Sequence, residues 1–336
     1  MGKATGTDLY SVAVGASAGG VEALIKLAGG LSPKLPCALL VVLHMPAGVA
    51  SVLPRILDRS GPLTAVPATH GAALKAGQIY VAVPDQHLLV DDGHLVLSDG
   101  PTENSYRPAV NATFRSVALA HGPRAIGVVL SGVLDDGLLG SAAIRSRGGV
   151  TIAQRPDDAL FSSMPQNAID AGVVQHQVRA SEVGALLAQL AERKLEVPKM
   201  ERDGKLELEN TIAMGRRFST AFDTEALGPP SGYVCPDCHG SLQDVSEGNY
   251  RCRVGHAWTA DAFLQARDEE VESALWVALR SLQEKSKLAR RMAENFGSGR
   301  LFEKYTALAE EAEHAVWVLG NRLSEAYRNE GERGAG

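Results

Sequence analysis

The stretch that decides the fold is SVAVGASAGG, residues 11–20, in which a short apolar strand runs into a glycine-rich turn. An apolar helical pattern follows at residues 21–31. A second run, ALLVVL at residues 38–43, is continuously apolar, which is typical of a strand buried on both faces of a parallel sheet. These segments predict a β-α-β unit, the building block of α/β proteins.

The same alternation continues to about residue 178. Strands are predicted at 78–83, 125–130 and 150–153, and helices at 108–120 and from about 138. Residues 87–97 predict a hairpin around Asp92-Gly93, a pair with strong turn chemistry. We therefore predict an α/β fold with a doubly wound, mostly parallel sheet.

Composition excludes several classes of protein. Of the 336 residues, 45% are apolar and 21% charged, so the chain can bury a core. The net charge of −6 offers no basic surface for nucleic acid. No apolar run reaches the roughly 20 residues of a membrane-spanning helix, and the chain starts without a secretory pattern. We expect a cytoplasmic protein that does not insert into membranes.

Ser17 lies in the glycine-rich turn, for which three interpretations are open. The turn could bind a phosphate at the helix N-terminus, or it could present Ser17 beside backbone N–H groups that hold an oxyanion. The simplest alternative is a serine that caps the helix. The spacing is not G-x-G-x-x-G and there is no Walker lysine, which disfavours a nucleotide-binding enzyme.

Two further strand ends carry polar residues. His44 follows the strand at 38–43, and Asp135 and Asp136 follow the strand at 125–130. Because the carboxyl ends of parallel strands meet at one edge of a sheet, His44 could be a general base for Ser17, and a carboxylate could orient it. A structural role for His44 is the alternative. The order Ser…His…Asp differs from that of α/β-hydrolases.

Seven motifs occur in register along residues 10–178. They are VGASAGG at 14–20, LHMPAG at 43–48, YVAVP at 80–84 before His87-Leu88, Tyr106-Arg107-Pro108, Ser131-Gly132 before Asp136-Gly137, Gln154, and Met164-Pro165. Together they resemble the CheB-type protein-glutamate methylesterases of bacterial chemotaxis. The resemblance implies an esterase that needs no cofactor for catalysis. It would hydrolyse γ-glutamyl methyl esters on the cytoplasmic helices of methylated chemoreceptors, releasing methanol, and would also deamidate receptor glutamines.

Under this resemblance the catalytic residues map to Ser17, His44 and Asp136, with Asp135 as a solvated neighbour. The oxyanion would be held by backbone N–H groups, among them that of Val133. A weak or inactive signalling adaptor, which binds receptor or another partner through its C-terminal helices, is the alternative function.

The chain also departs from the family pattern. Ala18 replaces a threonine, Val133-Leu134 replaces Met-Gly, and Asn111 replaces an aspartate. The change from glycine to Leu134 could alter its loop. Because the first predicted strand starts near residue 11, we expect a form without the family's phospho-acceptor receiver domain.

A metal-ligand pattern follows in the second half of the chain. Cys235 and Cys238 form a C-x2-C knuckle, and after 13 intervening residues Cys252 and His256 form C-x3-H. Three thiolates and an imidazole suit a closed, structural Zn²⁺ site, and the segment is too small to be stable without one. A redox C-x-x-C and a catalytic zinc site are less favoured alternatives. His239 is a weaker candidate than His256 for the fourth ligand. Cys37, the remaining cysteine, is predicted to be a buried core residue.

These patterns divide the chain into four parts. We predict a catalytic domain at 1–193, a linker at 194–231, a zinc-binding module at 232–259, and a helical hairpin with a tail at 260–336. In the last part, apolar residues recur at near-heptad spacing on both sides of a Gly-Ser-Gly break at 297–299. The hairpin could pack on itself, associate with a second copy, or bind receptor helices.

Overall fold

Seven parallel strands form the main sheet, in the order β3-β4-β2-β1-β7-β8-β9. The structure, a computed structural model, describes residues 9–193, 195, 201–215 and 228–333, without the side chains of 325–333. The strands of this half are β1 (Tyr10–Ala16), β2 (Cys37–Leu43), β3 (Thr64–Pro67), β4 (Gln78–Val81), β5 (His87–Asp91), β6 (His94–Ser98), β7 (Ala125–Val129), β8 (Val150–Gln154) and β9 (His176–Val178). β5 and β6 form the predicted separate hairpin.

Helices cover both faces of this sheet. They are α1 (Gly20–Gly29), α2 (Leu53–Ser60), α3 (Val110–His121), α4 (Leu138–Ser146), α5 (Ser163–Asp170), α6 (Val183–Ala191) and α7 (Gly204–Ala213), with 3₁₀ turns at Gly122–Arg124 and Ala180–Glu182. The core is accordingly divided in two. Apolar residues of α1, α2 and α6 pack on one face, and those of α3, α4 and α5 pack on the other. The predicted doubly wound α/β class is confirmed.

The central strands show why the sequence folds this way. Every residue of β2 is buried, because alternate side chains enter the two cores. In β1, Gly15 has a packing role. A Cβ at this position would lie 2.2 Å from Val110 Cγ1, so the missing side chain lets the start of α3 approach the strand.

Part of the predicted linker is helical. Residues 204–213 form α7, which is capped by Asp203, whose side chain accepts from the N–H of Leu206. Ile212 and Ala213 are buried, and the hydroxyl of Ser98 donates to the carbonyl of Ala213 at 2.7 Å. Residues 194, 196–200 and 216–227 of the predicted linker lie outside the described residues. The four-part division itself stays a prediction.

A second, antiparallel sheet of four strands follows. Its strands are β10 (Pro230–Val234), β11 (Ser241–Ser246), β12 (Asn249–Cys252) and β13 (Ala257–Thr259). It belongs to the same compact unit as the main sheet, a unit that ends at Phe263. The segment 101–107 runs beside β13, where the N–H of Asn104 donates to the carbonyl of Ala257 at 2.8 Å.

The C-terminal unit, from Leu264, is the predicted helical hairpin. Its helices are α8 (Ala260–Phe296), which starts in the first unit, and α9 (Arg300–Arg333). Small residues are buried between them, and Arg290 makes two hydrogen bonds to Glu313. Three residues of the predicted near-heptad apolar pattern are instead exposed: Val271, Phe296 and Leu301. Within the described residues, no helix has the length and apolar character to cross a membrane.

Candidate active site

Ser17, His44 and Asp136 lie together at the carboxyl edge of the main sheet. Ser17 follows β1, His44 follows β2, and Asp136 lies in the loop after β7. These three strands are direct neighbours, in the order β2-β1-β7, so their ends converge. The Ser17 Oγ is 3.2 Å from His44 Nδ1, and His44 Nε2 is 2.7 Å from Asp136 Oδ2.

The hydrogen bonds of Asp136 determine which nitrogen of His44 carries the proton. Its carboxylate accepts from the backbone N–H groups of Val110, at 2.7 Å, and Asn111, at 2.8 Å, at the start of α3. A carboxylate has no proton to donate, so His44 must be the donor in its hydrogen bond with Asp136. The proton of the neutral imidazole is therefore on Nε2. Nδ1 is then free to accept the hydroxyl proton of Ser17. This is the arrangement that a general base requires.

The glycine-rich turn holds Ser17 by its backbone. The N–H of Ser17 donates to the carbonyl of Ser131 at 2.9 Å, which links the ends of β1 and β7. The N–H of Ser131 in turn donates to the side chain of Gln154 at 2.9 Å. Gly19 has φ +66°, and a Cβ there would lie 2.8 Å from Leu160 Cβ, so glycine is required. The position of Ser17 thus depends on the ends of three strands, β1, β7 and β8, as well as on the start of α1.

Tyr106 is a site residue to which the sequence assigned no role. Its ring stacks on the imidazole of His44, with centroids 3.7 Å apart and planes 6° from parallel. Tyr106 belongs to the Tyr-Arg-Pro motif, which was the available signal. The stacked ring restricts rotation of His44, and the cleft over Ser17 opens beside it. The cleft is lined by Ser17, His44, Met45, Pro46, Ala47, Asp85, Thr102, Ser105, Tyr106 and Arg107.

At two departures from the family pattern, hydrogen bonds hold the loop between β7 and α4. The amide oxygen of Asn111 accepts from the N–H groups of Gly137, at 3.0 Å, and Gly140, at 2.7 Å. An amide oxygen is therefore a sufficient acceptor for these N–H groups at the start of α4. Leu134 has φ +62°, the left-handed conformation that glycine adopts without strain. Its carbonyl accepts from the side chain of Asn167 at 2.9 Å, which helps to hold the loop.

The predicted oxyanion position has two neighbouring backbone N–H groups, those of Gly132 and Val133, and they differ in their hydrogen bonding. The N–H of Gly132 donates to the carbonyl of Phe161 at 3.0 Å. The N–H of Val133 has no acceptor in the part of the chain that the structure describes. Val133 is half-buried and lies two residues after Ser131, whose carbonyl binds the Ser17 N–H. It therefore stays the candidate donor.

Asp135 is not the solvated neighbour that the sequence suggested. Its residue is only 7% exposed, and its Oδ1 accepts from the hydroxyl of Thr259 in β13 at 2.9 Å. Burial raises the pKa of Asp135 to about 6, partly offset by the Thr259 hydrogen bond. The two adjacent aspartates thus have different surroundings, because one faces His44 and the other faces the second sheet.

The four predicted metal ligands also lie together. The ligand atoms of Cys235, Cys238, Cys252 and His256 are within 4.8 Å of one another. Cys238 Sγ is 3.6 Å from Cys252 Sγ, and His256 Nδ1 is 3.7 Å from Cys235 Sγ and 3.4 Å from Cys252 Sγ. Tetrahedral Zn²⁺, with bonds of about 2.3 Å to sulfur and about 2.0 Å to nitrogen, requires separations of about 3.8 and about 3.6 Å. The donor set fits such an ion.

Cys37 is fully buried at the start of β2, as the sequence predicts. Burial raises the pKa of its thiol to about 12. It takes no part in either site.

Known proteins match about half of this chain. Residues 12–187 match the family model of the CheB methylesterases. A protein-glutamate methylesterase/protein-glutamine glutaminase of Desulfitobacterium hafniense is 35% identical over 188 residues, which are 54% of this chain and 48% of the relative. One of Methanosarcina mazei is 37% identical over 162 residues, 46% of this chain and 44% of the relative. The chain thus spans about half the length of the curated relatives it matches.

A solved structure gives the same result for the fold. The crystal structure of the Thermotoga maritima CheB methylesterase catalytic domain matches with a TM-score of 0.52 and 30% identity, and the match covers 54% of this chain and 98% of that domain. The family model alone spans just over half of the residues. The chain therefore belongs to the CheB methylesterase family.

Proposed function

We propose that this chain is a protein-glutamate methylesterase. It would hydrolyse γ-glutamyl methyl esters on chemoreceptors to glutamate and methanol. The observation that carries the proposal is the continuous hydrogen-bonded series Ser17–His44–Asp136 in an open cleft. Two curated relatives carry this activity in their names.

The mechanism follows from the proton positions. His44 Nδ1 accepts the proton of Ser17 as the hydroxyl oxygen attacks the ester carbonyl, and Asp136 stabilises the imidazolium that forms. The negative oxygen of the tetrahedral intermediate accepts from the N–H of Val133. The imidazolium then protonates the leaving methoxide. Water, activated by the same histidine, hydrolyses the glutamyl ester of Ser17 and regenerates the site.

The partner is the methylated cytoplasmic helix of a chemoreceptor, and the same steps deamidate a glutamine there. Ammonia then replaces methanol as the leaving group, and the acyl intermediate is identical. An acyl group at the end of a glutamyl side chain can reach Ser17 because the cleft is open to the surface. No metal takes part in these steps.

We further propose a structural Zn²⁺ at Cys235, Cys238, Cys252 and His256. The separations of the four ligand atoms support it, since they match those of a tetrahedral ion with three sulfur ligands and one nitrogen ligand. Metal analysis is expected to return one zinc per chain, which Cys235→Ser should abolish. Purified protein without metal, or with iron in its place, would contradict this assignment.

The test of the esterase is methanol release from a methylated receptor fragment. Ser17→Ala should lower turnover by about 10³-fold or more while the circular dichroism spectrum is unchanged. Ser181→Ala, which removes an exposed hydroxyl outside the cleft, is the matched control and should keep full activity. Equal activity of the Ser17 variant and wild type would refute the assignment of the nucleophile.

The same assay separates the esterase from an adaptor. An adaptor would bind the receptor fragment with normal affinity and release no methanol at any enzyme concentration. On the helical hairpin, Trp276 and Trp317 are exposed and would each offer an apolar contact to such a partner. Binding without turnover would replace the first proposal with the second.

A further inference from the structure

The second sheet is joined to the segment that covers the active site. In the segment 101–107, the N–H of Asn104 donates to the carbonyl of Ala257 at 2.8 Å, and the N–H of Ala257 donates to the carbonyl of Thr102 at 3.2 Å. The N–H of Thr259 donates to the side chain of Asn104 at 2.9 Å. The segment is therefore bound along β13 much as a neighbouring strand would be.

A buried ionic cluster strengthens this junction. The carboxylate of Glu103 contacts Arg115 of α3 and lies 3.5 Å from Arg251 of β12. All three side chains are at most 5% exposed. Burial alone would raise the pKa of Glu103, but the two guanidinium groups lower it to about 2. The segment thus carries a buried negative charge on Glu103. This charge is balanced by Arg115 on the side of the main sheet and by Arg251 on the side of the second sheet.

The third contact comes from inside the metal-ligand knuckle. Asp237 lies between Cys235 and Cys238, and its carboxylate accepts from the hydroxyls of Thr102, at 2.6 Å, and Ser105, at 3.0 Å. Its position follows the shape of the knuckle, because both of its flanking cysteines are candidate ligands of one ion. Within the same segment, Asn104 and Ser105 have φ of +52° and +63°, a conformation that non-glycine residues hold only when neighbours fix it.

The segment matters because it carries Tyr106. The ring of Tyr106 stacks on His44 at 3.7 Å, so a displacement of the segment moves the surface against which the imidazole rests. The second sheet also reaches the other side of the site, where the hydroxyl of Thr259 donates to Asp135, next to Asp136. Two of the loops that surround the catalytic residues are therefore bonded to the same small sheet.

We propose that the Cys3His module is a metal-dependent support of the active site, in which Asp237 positions the segment 101–107 so that Tyr106 orients His44. Asp237 is hydrogen-bonded to Thr102 and Ser105 of the cleft lining but does not itself line the cleft, so it is a positioning residue. The kinetic part of this inference rests on the proposed esterase, whereas the structural part is independent of it.

The experiment uses the full-length, metal-loaded chain and four variants. Asp237→Ala removes both hydrogen bonds from the module side and leaves all four ligands. Thr102→Val with Ser105→Ala removes the same bonds from the loop side without touching the knuckle. Asp237→Asn keeps an acceptor and tests for rescue. Glu247→Ala, which removes an exposed carboxylate at the β11–β12 turn, is the matched control.

Three quantities are measured: metal content, hydrogen exchange of the peptide that spans 101–107, and kcat and KM for methanol release. We expect Asp237→Ala and the loop-side double variant to keep one metal per chain, to exchange about tenfold faster in that peptide and to lose about tenfold in kcat. For Asp237→Ala, which alters no residue of the cleft lining, KM should change less than twofold. Asp237→Asn should recover part of the loss. Chelation of the wild-type metal should accelerate exchange in 101–107 and leave the β5–β6 hairpin protected.

The outcomes separate this inference from the proposed function. Unchanged exchange and unchanged kcat in both variants would overturn it, and so would a rise in kcat, which would mean that the module obstructs the cleft. Wild-type protein that releases no methanol would refute the esterase. In that case the hydrogen-exchange measurement alone tests the structural part of the inference. Metal removal must still accelerate exchange in residues 101–107 if the module supports them.

Discussion

Substitution of Asp135 by asparagine should stabilise this protein, and more so at alkaline than at acid pH. The carboxyl group is buried against Thr259, and burial raises its pKa from 3.8 to about 6. The unfolded chain therefore ionises Asp135 first as the pH rises. Between the two pKa values the folded state alone keeps the proton, and its stability relative to the unfolded state falls.

The magnitude follows from the two pKa values. A shift of about 2 units at about 1.4 kcal/mol per unit gives a penalty of about 3 kcal/mol at pH 8, where both states are ionised. At pH 5 the penalty is about 1.5 kcal/mol, because the unfolded state is ionised and the folded state is mostly not. Asparagine does not titrate, and its amide oxygen still accepts from Thr259. The difference between variant and wild type should thus grow by about 1.5 kcal/mol from pH 5 to pH 8.

The assay is urea unfolding of both proteins at several pH values between 5 and 8. Effects of the substitution that do not depend on pH, such as a small change in packing, cancel when the differences at two pH values are compared. Asp92→Asn, which removes an exposed carboxylate at the turn between β5 and β6, is the matched control for the change of residue type. A difference for Asp135→Asn that stays constant, or that shrinks toward pH 8, would refute the reasoning.

Three further predictions concern neighbouring features. Asn111→Ala should lower the free energy of unfolding by about 2–4 kcal/mol, because the N–H groups of Gly137 and Gly140 lose their acceptor. Asn111→Asp restores an acceptor oxygen and should recover most of the lost stability in the same urea titration. Leu134→Gly should leave the proposed esterase activity in place and raise the free energy of unfolding by up to about 1 kcal/mol, since φ is +62° there; destabilisation would mean that the leucine side chain is needed. The thiol of Cys37 should resist a disulfide reagent in the folded protein and react only on denaturation, and rapid labelling would contradict its burial.

The sequence predicted the centre of the fold well for a physical reason. Strands buried on both faces must be continuously apolar, so β1, β2 and β7 stand out as short runs bounded by polar or glycine-rich turns. Parallel strands also place their carboxyl ends at one edge, which is why Ser17, His44 and one of the two carboxylates after β7 could be grouped before any distance was known, whereas the choice of Asp136 came from the family resemblance.

Other parts depend on contacts that local patterns do not encode. The helix α7 has charged residues on most positions and buries only Ile212 and Ala213, so its sequence resembles a linker. Asp135 and Asp136 are adjacent and chemically identical, and what distinguishes them is Thr259, which lies 124 positions along the chain from Asp135. The role of Tyr106 likewise depends on the position of His44 in space and not on spacing along the chain.

The bonds of Asp136 also determine which variant can serve as an inactive reference protein. The carboxylate that orients His44 is the same group that accepts two N–H bonds at the first turn of α3. Asp136→Ala would leave those two donors unpaired in a buried place, at about 1–3 kcal/mol each, so lost turnover would be mixed with a frayed helix. Ser17→Ala removes one hydroxyl at an accessible cleft and leaves every helix terminus intact. Cell-based experiments that ask whether the chemistry is needed should therefore use the serine variant.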